Sequence, residues 1–164
     1  VVGLFAVIMA QLTIIVSFQS LILDMAGNVG TQSLAVTIRV LMDETLTGRQ
    51  KLELVCKEGR IGLLNGLILG AASCGVVGLY IMLFKAKTAA FAFGISGCIG
   101  VALLLAMAVS SIVGTCVPLL FKKLGVDPAV ASGPLITTLN DLTAVVAYYG
   151  LAWLLLINTF GFGA

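Results

Sequence analysis

The sequence predicts an all-α integral membrane protein. Its mean hydropathy is +1.19, and 60% of its 164 residues are hydrophobic while only 10% are charged. Soluble domains carry about 25% charged residues, so a water-soluble core would not accommodate this much apolar surface. Several apolar stretches reach the roughly 20 residues of a membrane-spanning helix, and none shows the alternation of a barrel strand. The spans are therefore predicted to be helices, because only helices and closed barrels satisfy the backbone in lipid.

Three spanning helices are delimited by charged residues or by a start signal. The first two are bounded at both ends by Lys or Arg. The third begins with Asp127 followed by Pro128, which is typical of an N-cap residue and a proline at the first helical position. The three predicted spans cover about 61–84, 88–121 and 128–157.

The first apolar stretch, 1–38, is too long for one helix. It would extend about 57 Å at 1.5 Å per residue, against a hydrocarbon core of about 30 Å. We predict that residues 1–5 are the remnant of a helix that is mostly missing from this chain, and that the next helix covers about 7–40. That helix is predicted to be interrupted over 27–30, where glycines allow the backbone to unwind beside a cavity or against protein.

Loop charges predict the orientation. Five Lys or Arg residues lie in the loop 39–60 and two in the loop 122–127, whereas the opposite side has only Lys85 and Lys87. This excess predicts that both loops are cytoplasmic and that the C-terminus is outside. The predicted location is the cell membrane, as the inner membrane of a prokaryote.

One carboxylate interrupts the last predicted span. Asp141 is the only charged residue in 128–157, and a carboxylate at the centre of a spanning helix costs about 2.5–3.5 kcal/mol on insertion scales. Helical spacing places Pro134, Thr137 and Thr138 on the same face of the helix as Asp141. We interpret this face as a cation site; the alternative is an acid that is protonated or paired within a helix bundle.

A second polar cluster is predicted at the same depth. Asp141 lies 13 residues after Pro128, about 20 Å from the cytoplasmic end of its helix. Asp24 and Asn28 precede Arg39 by 15 and 11 residues, about 22 and 16 Å. Both clusters therefore fall near the midplane. Asp24 is either a second pore acid or a cap of the interrupted segment. Asn28 either faces the pore or bonds the opened backbone, or it packs between helices.

The composition of these clusters suits Mg²⁺. This ion prefers octahedral oxygen ligands and gives up its waters reluctantly, so one carboxylate with amide, hydroxyl and backbone oxygens would hold a hydrated ion by its water shell. Few direct ligands also let the ion leave, as conduction requires. Zinc or copper sites are disfavoured because the chain has no histidine and no CxxC pair among its four cysteines. The sequence contains no block of basic residues of the kind that would indicate nucleic-acid binding.

Two further patterns have simpler interpretations. Gly62, Gly66 and Gly70 recur at four-residue spacing, the small-xxx-small pattern that lets helices approach closely; a dimer contact is the alternative to packing within the subunit. The Gly-x-Ser-Gly string at Ser96 is similar to that of rhomboid proteases, but the chain has no histidine to act as base. We therefore predict that the protein is not an enzyme.

Several motifs resemble one family. The run 24–33, Asp-Met-Ala-Gly-Asn-Val-Gly-Thr-Gln-Ser, resembles the glycine-asparagine-glycine-threonine-glutamine signature of the MgtE family of magnesium channels. Residues 62–66 are similar to the start of that family's third helix. Gly114, Pro118 and the run 127–141 are similar to the end of its fourth helix and to its fifth. The match covers nearly the whole chain in the right order.

The resemblance implies a homodimer of five-helix subunits in the lipid bilayer, with a pore at the two-fold axis. It implies that Asp141 binds the transported Mg²⁺ near the midplane with help from the backbone carbonyl of Thr137. The residues expected to line or support the pore are Asp24, Gly27, Asn28, Gly30, Pro134, Thr138 and Asn140.

The predicted function is therefore magnesium transport by a transmembrane pore domain, 1–164. The alternatives are another divalent-cation carrier or a cation exchanger, for Co²⁺ or Mn²⁺ or coupled to Na⁺, and a membrane subunit that does not transport. Members of the family typically also carry an acidic cytosolic domain and a pair of CBS domains. Nothing in the sequence resembles either, so we expect no soluble regulatory domain within these residues.

Overall fold

The structure is a computed structural model that describes residues 13–43 and 46–157, and all secondary structure in these ranges is helical. The predicted remnant 1–5 and the start of the predicted 7–40 helix lie outside the described residues. The helices, in order, are α1 (Thr13–Val16), α2 (Gln19–Asp43), α3 (Gly48–Phe84), α4 (Ala89–Lys123) and α5 (Pro128–Leu151), which continues as a π-helical segment (Ala152–Ile157).

Two of the described helices, α3 and α4, are long and apolar enough to cross a membrane. With 37 residues, α3 is about 56 Å long at 1.5 Å per residue, which exceeds the roughly 30 Å of the hydrocarbon core. It begins at Gly48, well before the apolar sequence from residue 61. Its start is set by a capping box, in which Thr47 Oγ1 accepts from the Gln50 backbone N–H and Gln50 Oε1 accepts from the Thr47 N–H.

Local signals also set the turn between α4 and α5. Gly125 has φ of 75°, a left-handed conformation that glycine adopts without steric cost. Its N–H donates to the Lys122 carbonyl, and the Val126 N–H donates to the Phe121 carbonyl, the two bonds of a Schellman motif. Asp127 Oδ1 then accepts from the Ala129 N–H at 2.9 Å, which confirms the predicted N-cap of α5.

α4 lies at the centre of the bundle and contacts α2, α3 and α5. α2 runs parallel to α4, because Ala26 meets Ser110, and Leu41 meets Lys122 further along both helices. α3 and α5 run in the opposite direction, since the contacts along them follow in reverse order. The apolar core lies mainly between α2, α4 and α5, and α3 packs on the remaining side of α4.

The glycines of α3 face α4, as the small-xxx-small pattern predicts. A Cβ on Gly66 would lie 2.7 Å from the Leu104 Cα, and one on Gly70 would lie 2.6 Å from the Gly100 carbonyl oxygen. The two backbones are therefore in direct contact, and larger side chains at these positions would separate the helices. The interpretation as packing within one subunit is confirmed.

The predicted interruption over 27–30 is wrong, because α2 is helical from Gln19 to Asp43. Gly30 serves a different purpose: its carbonyl oxygen occupies the space that a Cβ of Gly114 would need. Beside it, Ser110 Oγ donates to the Ala26 carbonyl at 2.6 Å. Gly30 permits close packing of α2 against α4, and the backbone of α2 keeps its helical hydrogen bonds here. A role for Asp24 as cap of a broken segment is therefore also wrong.

The actual interruption lies at residues 17–18, between α1 and α2. Here the Ile15 carbonyl accepts from the Phe18 N–H at 3.1 Å and from the buried Tyr148 hydroxyl at 2.8 Å. The hydroxyl of Tyr149, the residue after Tyr148, donates to Gln19 Oε1 at 2.6 Å. The end of α5 is thus bonded to both sides of the break.

Replacing Gly70 with valine should destabilise the fold, because the new side chain would collide with the backbone of α4. Overpacking of this kind costs about 1–3 kcal/mol. The same substitution at Gly75, where a Cβ would meet nothing within 4 Å, should change stability by less than about 0.5 kcal/mol. Denaturation in detergent micelles measures both variants, and equal losses would contradict the proposed contact.

Tyr148→Phe should lower stability by about 1 kcal/mol, the net value of a typical hydrogen bond, because it removes only the hydroxyl that bonds to Ile15. Tyr80→Phe provides the control, since Tyr80 is 42% exposed and should tolerate the change. A thermal melt followed by circular dichroism compares the two. Unchanged stability of Tyr148→Phe would show that the bond contributes nothing.

Candidate cation-binding site

Polar side chains from α2 and α5 meet in one groove on the outside of the bundle. The groove has a volume of about 470 Å³. Its lining residues among those described are Ser20, Leu23, Asp24, Gly27, Asn28, Thr31, Thr137 and Asp141. The two polar clusters that the sequence predicts at one depth are therefore neighbours in space.

The α2 wall is one face of an uninterrupted helix. Asp24, Asn28 and Thr31 follow one another at spacings of four and three residues and are exposed. The Thr31 hydroxyl donates to the carbonyls of Gly27 and Asn28 at 2.9 and 3.0 Å. A Cβ on Gly27 would meet no atom of the described residues within 4 Å. Packing against these residues therefore does not explain Gly27, and its missing side chain leaves room in the groove.

The α5 wall carries the half-buried Asp141 and, one turn before it, Thr137. The Thr137 hydroxyl donates to the Gly133 carbonyl at 3.2 Å, so its hydrogen points along its own helix. The oxygen of that hydroxyl can still accept a hydrogen bond, and a helical carbonyl keeps a second lone pair. Thr137 can therefore present acceptor oxygens to the water shell of an ion.

The charge in this groove is negative and uncompensated. Neither Asp24 nor Asp141 has an ion pair or hydrogen bond within the described part of the chain, and no Lys or Arg is among the lining residues. The internally paired acid, which was the alternative for Asp141, has no partner in these ranges. No group of three or more His, Cys, Asp or Glu side chains is found there either. A bound cation would thus meet two carboxylates and several neutral oxygens from one chain.

Other predicted site residues lie elsewhere. Pro134 and Thr138 are exposed on α5 but outside the groove lining, and the Thr138 hydroxyl donates to the Pro134 carbonyl at 2.9 Å. Gly30 is buried and contacts α4. Asn140 is fully buried, and neither of its amide atoms has a hydrogen-bond partner within 13–43 or 46–157.

The position of Asn140 follows from helix geometry. Its neighbour Asp141 is rotated by about 100° around the helix axis, so the two side chains face different surroundings. The Asn140 amide lies against Gly30, where a Cβ would collide with it, and close to Ser110. Asn140 therefore supports the junction of α2, α4 and α5 and does not line the groove.

Three residues that line the groove were not predicted from the sequence: Ser20, Leu23 and Thr31. Ser20 and Thr31 lie four residues before and seven residues after Asp24, on the same helical face, whereas Leu23 lies four residues before Gly27 and borders that face. That spacing was readable from the sequence. The expected break at 27–30 concealed it, because a helix interrupted there would not continue one face across the break.

A ladder of hydrogen bonds gives the level of the groove in the bundle. Ser110 bonds to Ala26, which lies between Asp24 and Asn28 in sequence, and the next residue, Ser111, donates to the Glu58 carbonyl at 2.5 Å. The groove is therefore level with Glu58 on α3, where the apolar part of that helix begins. It lies midway along α5 but at one end of the apolar part of α3.

Comparison with known proteins agrees with these features. Residues 19–151 match the MgtE family, described as a divalent cation transporter. The chain is 39% identical over 145 residues to the magnesium transporter MgtE of Enterococcus faecalis, covering 88% of this chain and 30% of the relative. It is 33% identical to the magnesium transporters MgtE of Bacillus subtilis and Thermus thermophilus, over 152 and 155 residues, in each case covering 93% of this chain and 32% of the relative.

The chain thus spans about a third of the length of the curated relatives that it matches. The family match covers α2 to α5 and both walls of the groove. The resemblance predicted from the motifs is confirmed, and so is the prediction that the protein is not an enzyme. The chain belongs to the MgtE family of divalent cation transporters, as a helical, membrane-spanning part.

Proposed function

We propose that this chain forms the pathway by which Mg²⁺ crosses the membrane, with Asp141 as the residue that holds the hydrated ion. The relatives at 33–39% identity are named magnesium transporters. The observation that carries the proposal is the groove itself, in which Asp24 and Asp141 meet on the outer face of the bundle with no counter-charge among the described lining residues.

This location favours a dimer. Two uncompensated carboxylates on the outer face of a membrane-spanning bundle are unfavourable wherever lipid covers them, so we infer that a second surface covers the groove. A second copy related by a two-fold axis would close it and place four carboxylates, two Asp24 and two Asp141, around one path. In a closed path of this kind, a divalent cation would supply the positive charge that balances the carboxylates.

The groove suits a hydrated ion. Six waters at about 30 Å³ each occupy about 180 Å³, well within the 470 Å³ of the groove. Mg²⁺ releases its waters reluctantly, so contacts through water avoid the dehydration cost. Carboxylates provide attraction, while the neutral oxygens of Thr137 and Asn28 accept hydrogen bonds from the water shell. Binding through water also remains weak enough for the ion to leave.

We further propose that the loops 39–60 and 122–127 face the cytoplasm of a prokaryotic cell and that the C-terminus is outside, following the excess of Lys and Arg in those loops. The second candidate is a carrier or exchanger of other divalent cations. It rests on the same groove, which has few direct ligands to discriminate between ions. Competition by Co²⁺ and Mn²⁺ in the flux measurements below separates the two.

Asp141→Asn should reduce Mg²⁺ uptake into proteoliposomes by at least about tenfold, or about 1.4 kcal/mol, because the amide keeps the shape but removes the charge. Asp127→Asn is the matched control: it makes the same change at the start of the same helix, and asparagine caps a helix as well as aspartate. Uptake equal to wild type in a folded Asp141→Asn dimer would show that the ion is held elsewhere.

Asp24→Asn should also reduce uptake, but less than Asp141→Asn. Asp24 is exposed whereas Asp141 is half-buried, and a charge interacts more strongly where water is partly excluded. The same flux assay ranks the two variants, with Mg²⁺ varied to separate affinity from maximal rate. A larger loss for Asp24→Asn would identify Asp24 as the main site.

A further inference from the structure

A pair of basic residues on α3 lines a concave surface away from the ion groove. Lys57 and Arg60 are exposed and, with Glu53, Cys56 and Ile61, line a cavity of about 420 Å³. These positions follow a spacing of three and four residues, so they form one face of the helix. We call this face the basic surface of α3.

The basic surface has an excess of positive charge. Its one lining acid, Glu53, is already paired with Arg49 at 3.0 Å. Glu58, next to Lys57 in sequence, is only 3% exposed and lies on the side of α3 that packs against α4. Lys57 and Arg60 have no ion pair or hydrogen bond among the described residues.

The same helix becomes apolar immediately beyond this surface. Leu64 is 57% exposed and Ile68 is 65% exposed, and they continue the row from Arg60 at four-residue spacing. Leu63 and Leu67 beside them are also exposed. In a membrane-spanning helix, exposed leucines face lipid tails, so the step from Arg60 to Leu64 marks the headgroup boundary on this face.

We propose that Lys57 and Arg60 bind the headgroup of an anionic phospholipid whose acyl chains lie along Leu64 and Ile68. The guanidinium of Arg60 offers a planar pair of N–H donors that matches two phosphate oxygens, and Lys57 adds a second, mobile charge. Basic residues near the surface of an anionic membrane attract its lipids. The proposal depends only on the membrane-spanning character of α3, and it does not require the ion pathway.

The hydrogen bonds that link α2, α4 and α3 show at which level of the bundle this site lies. Ser111 joins Glu58 to the level of Ser110 and Ala26, so the headgroup would lie at the same level as the ion groove, on the opposite side of α4. A lipid bound there would fix how deep the bundle sits in the bilayer and thus how far Asp141 lies from the aqueous phase.

The test is a lipid titration of the purified chain in detergent, with bound lipids counted by native mass spectrometry. Phosphatidylglycerol should bind and phosphatidylcholine should not. The double variant Lys57→Gln and Arg60→Gln should bind phosphatidylglycerol about thirtyfold more weakly, and each single variant about fivefold more weakly. Lys85→Gln with Lys87→Gln removes equal charge at the other end of α3 and should leave binding unchanged.

Three results would overturn the proposal. They are equal binding of both lipids, equal loss in the control variant, and full occupancy by inorganic phosphate, which would indicate a phosphate site without a lipid. If the double variant loses its helical circular dichroism, lipid binding by the two single variants tests the proposal instead. Charge-preserving Arg60→Lys should bind phosphatidylglycerol more tightly than Arg60→Gln, because lysine keeps the charge but lacks the paired N–H donors, whereas a purely structural role of the guanidinium would not be rescued by lysine.

Discussion

The direct backbone contact between α2 and α4 is the constraint on which the candidate site depends. Gly30 and Gly114 have no side chains, so the carbonyl of one occupies space that a Cβ of the other would need. In lipid the hydrophobic effect does not drive helices together, and close packing and interhelical hydrogen bonds replace it. Because Gly30 must face α4, the helical period turns Asp24, Asn28 and Thr31 outward. The contact that holds α2 in place therefore also orients its polar face.

Polar groups inside the bundle and on its outer face differ in their hydrogen bonding. Inside, hydroxyls are bonded across helices or to their own backbone: Ser110 to Ala26, Ser111 to Glu58, and Ser33 with Ser111 at 2.8 Å. Outside, the carboxylates of the groove have no partner within the described residues. Satisfied polar groups stabilise a helix bundle, whereas unsatisfied charges in a membrane require a ligand or a covering surface. This contrast separates the polar groups that build the fold from the carboxylates that we propose as the ion site.

Asn140 is the exception inside the bundle. It is fully buried, and neither amide atom is bonded to any part of the chain that the structure describes. Such groups are rare in native structures because each costs about 1–3 kcal/mol. It lies next to Asp141 in sequence and against Gly30 in space. The residue that precedes Asp141 thus belongs to the junction of three helices. A movement of α5 that shifts Asp141 would also change the surroundings of this amide.

The sequence by itself determined the class of the protein, the start of α5 at Asp127 and the common depth of Asp24, Asn28 and Asp141, because hydropathy, capping and helical spacing are local properties. The glycines over 27–30 show its limit. Glycine permits both an unwound backbone and a close helix contact, and only the presence of Gly114 on α4 decides between them. Likewise, Asn140 and Asp141 are polar neighbours in sequence, and the packing of α5 against α2 and α4 puts the neutral amide in the interior. The tertiary structure also decided the level of the groove along α3, because the relative heights of helices depend on contacts between residues far apart in the chain.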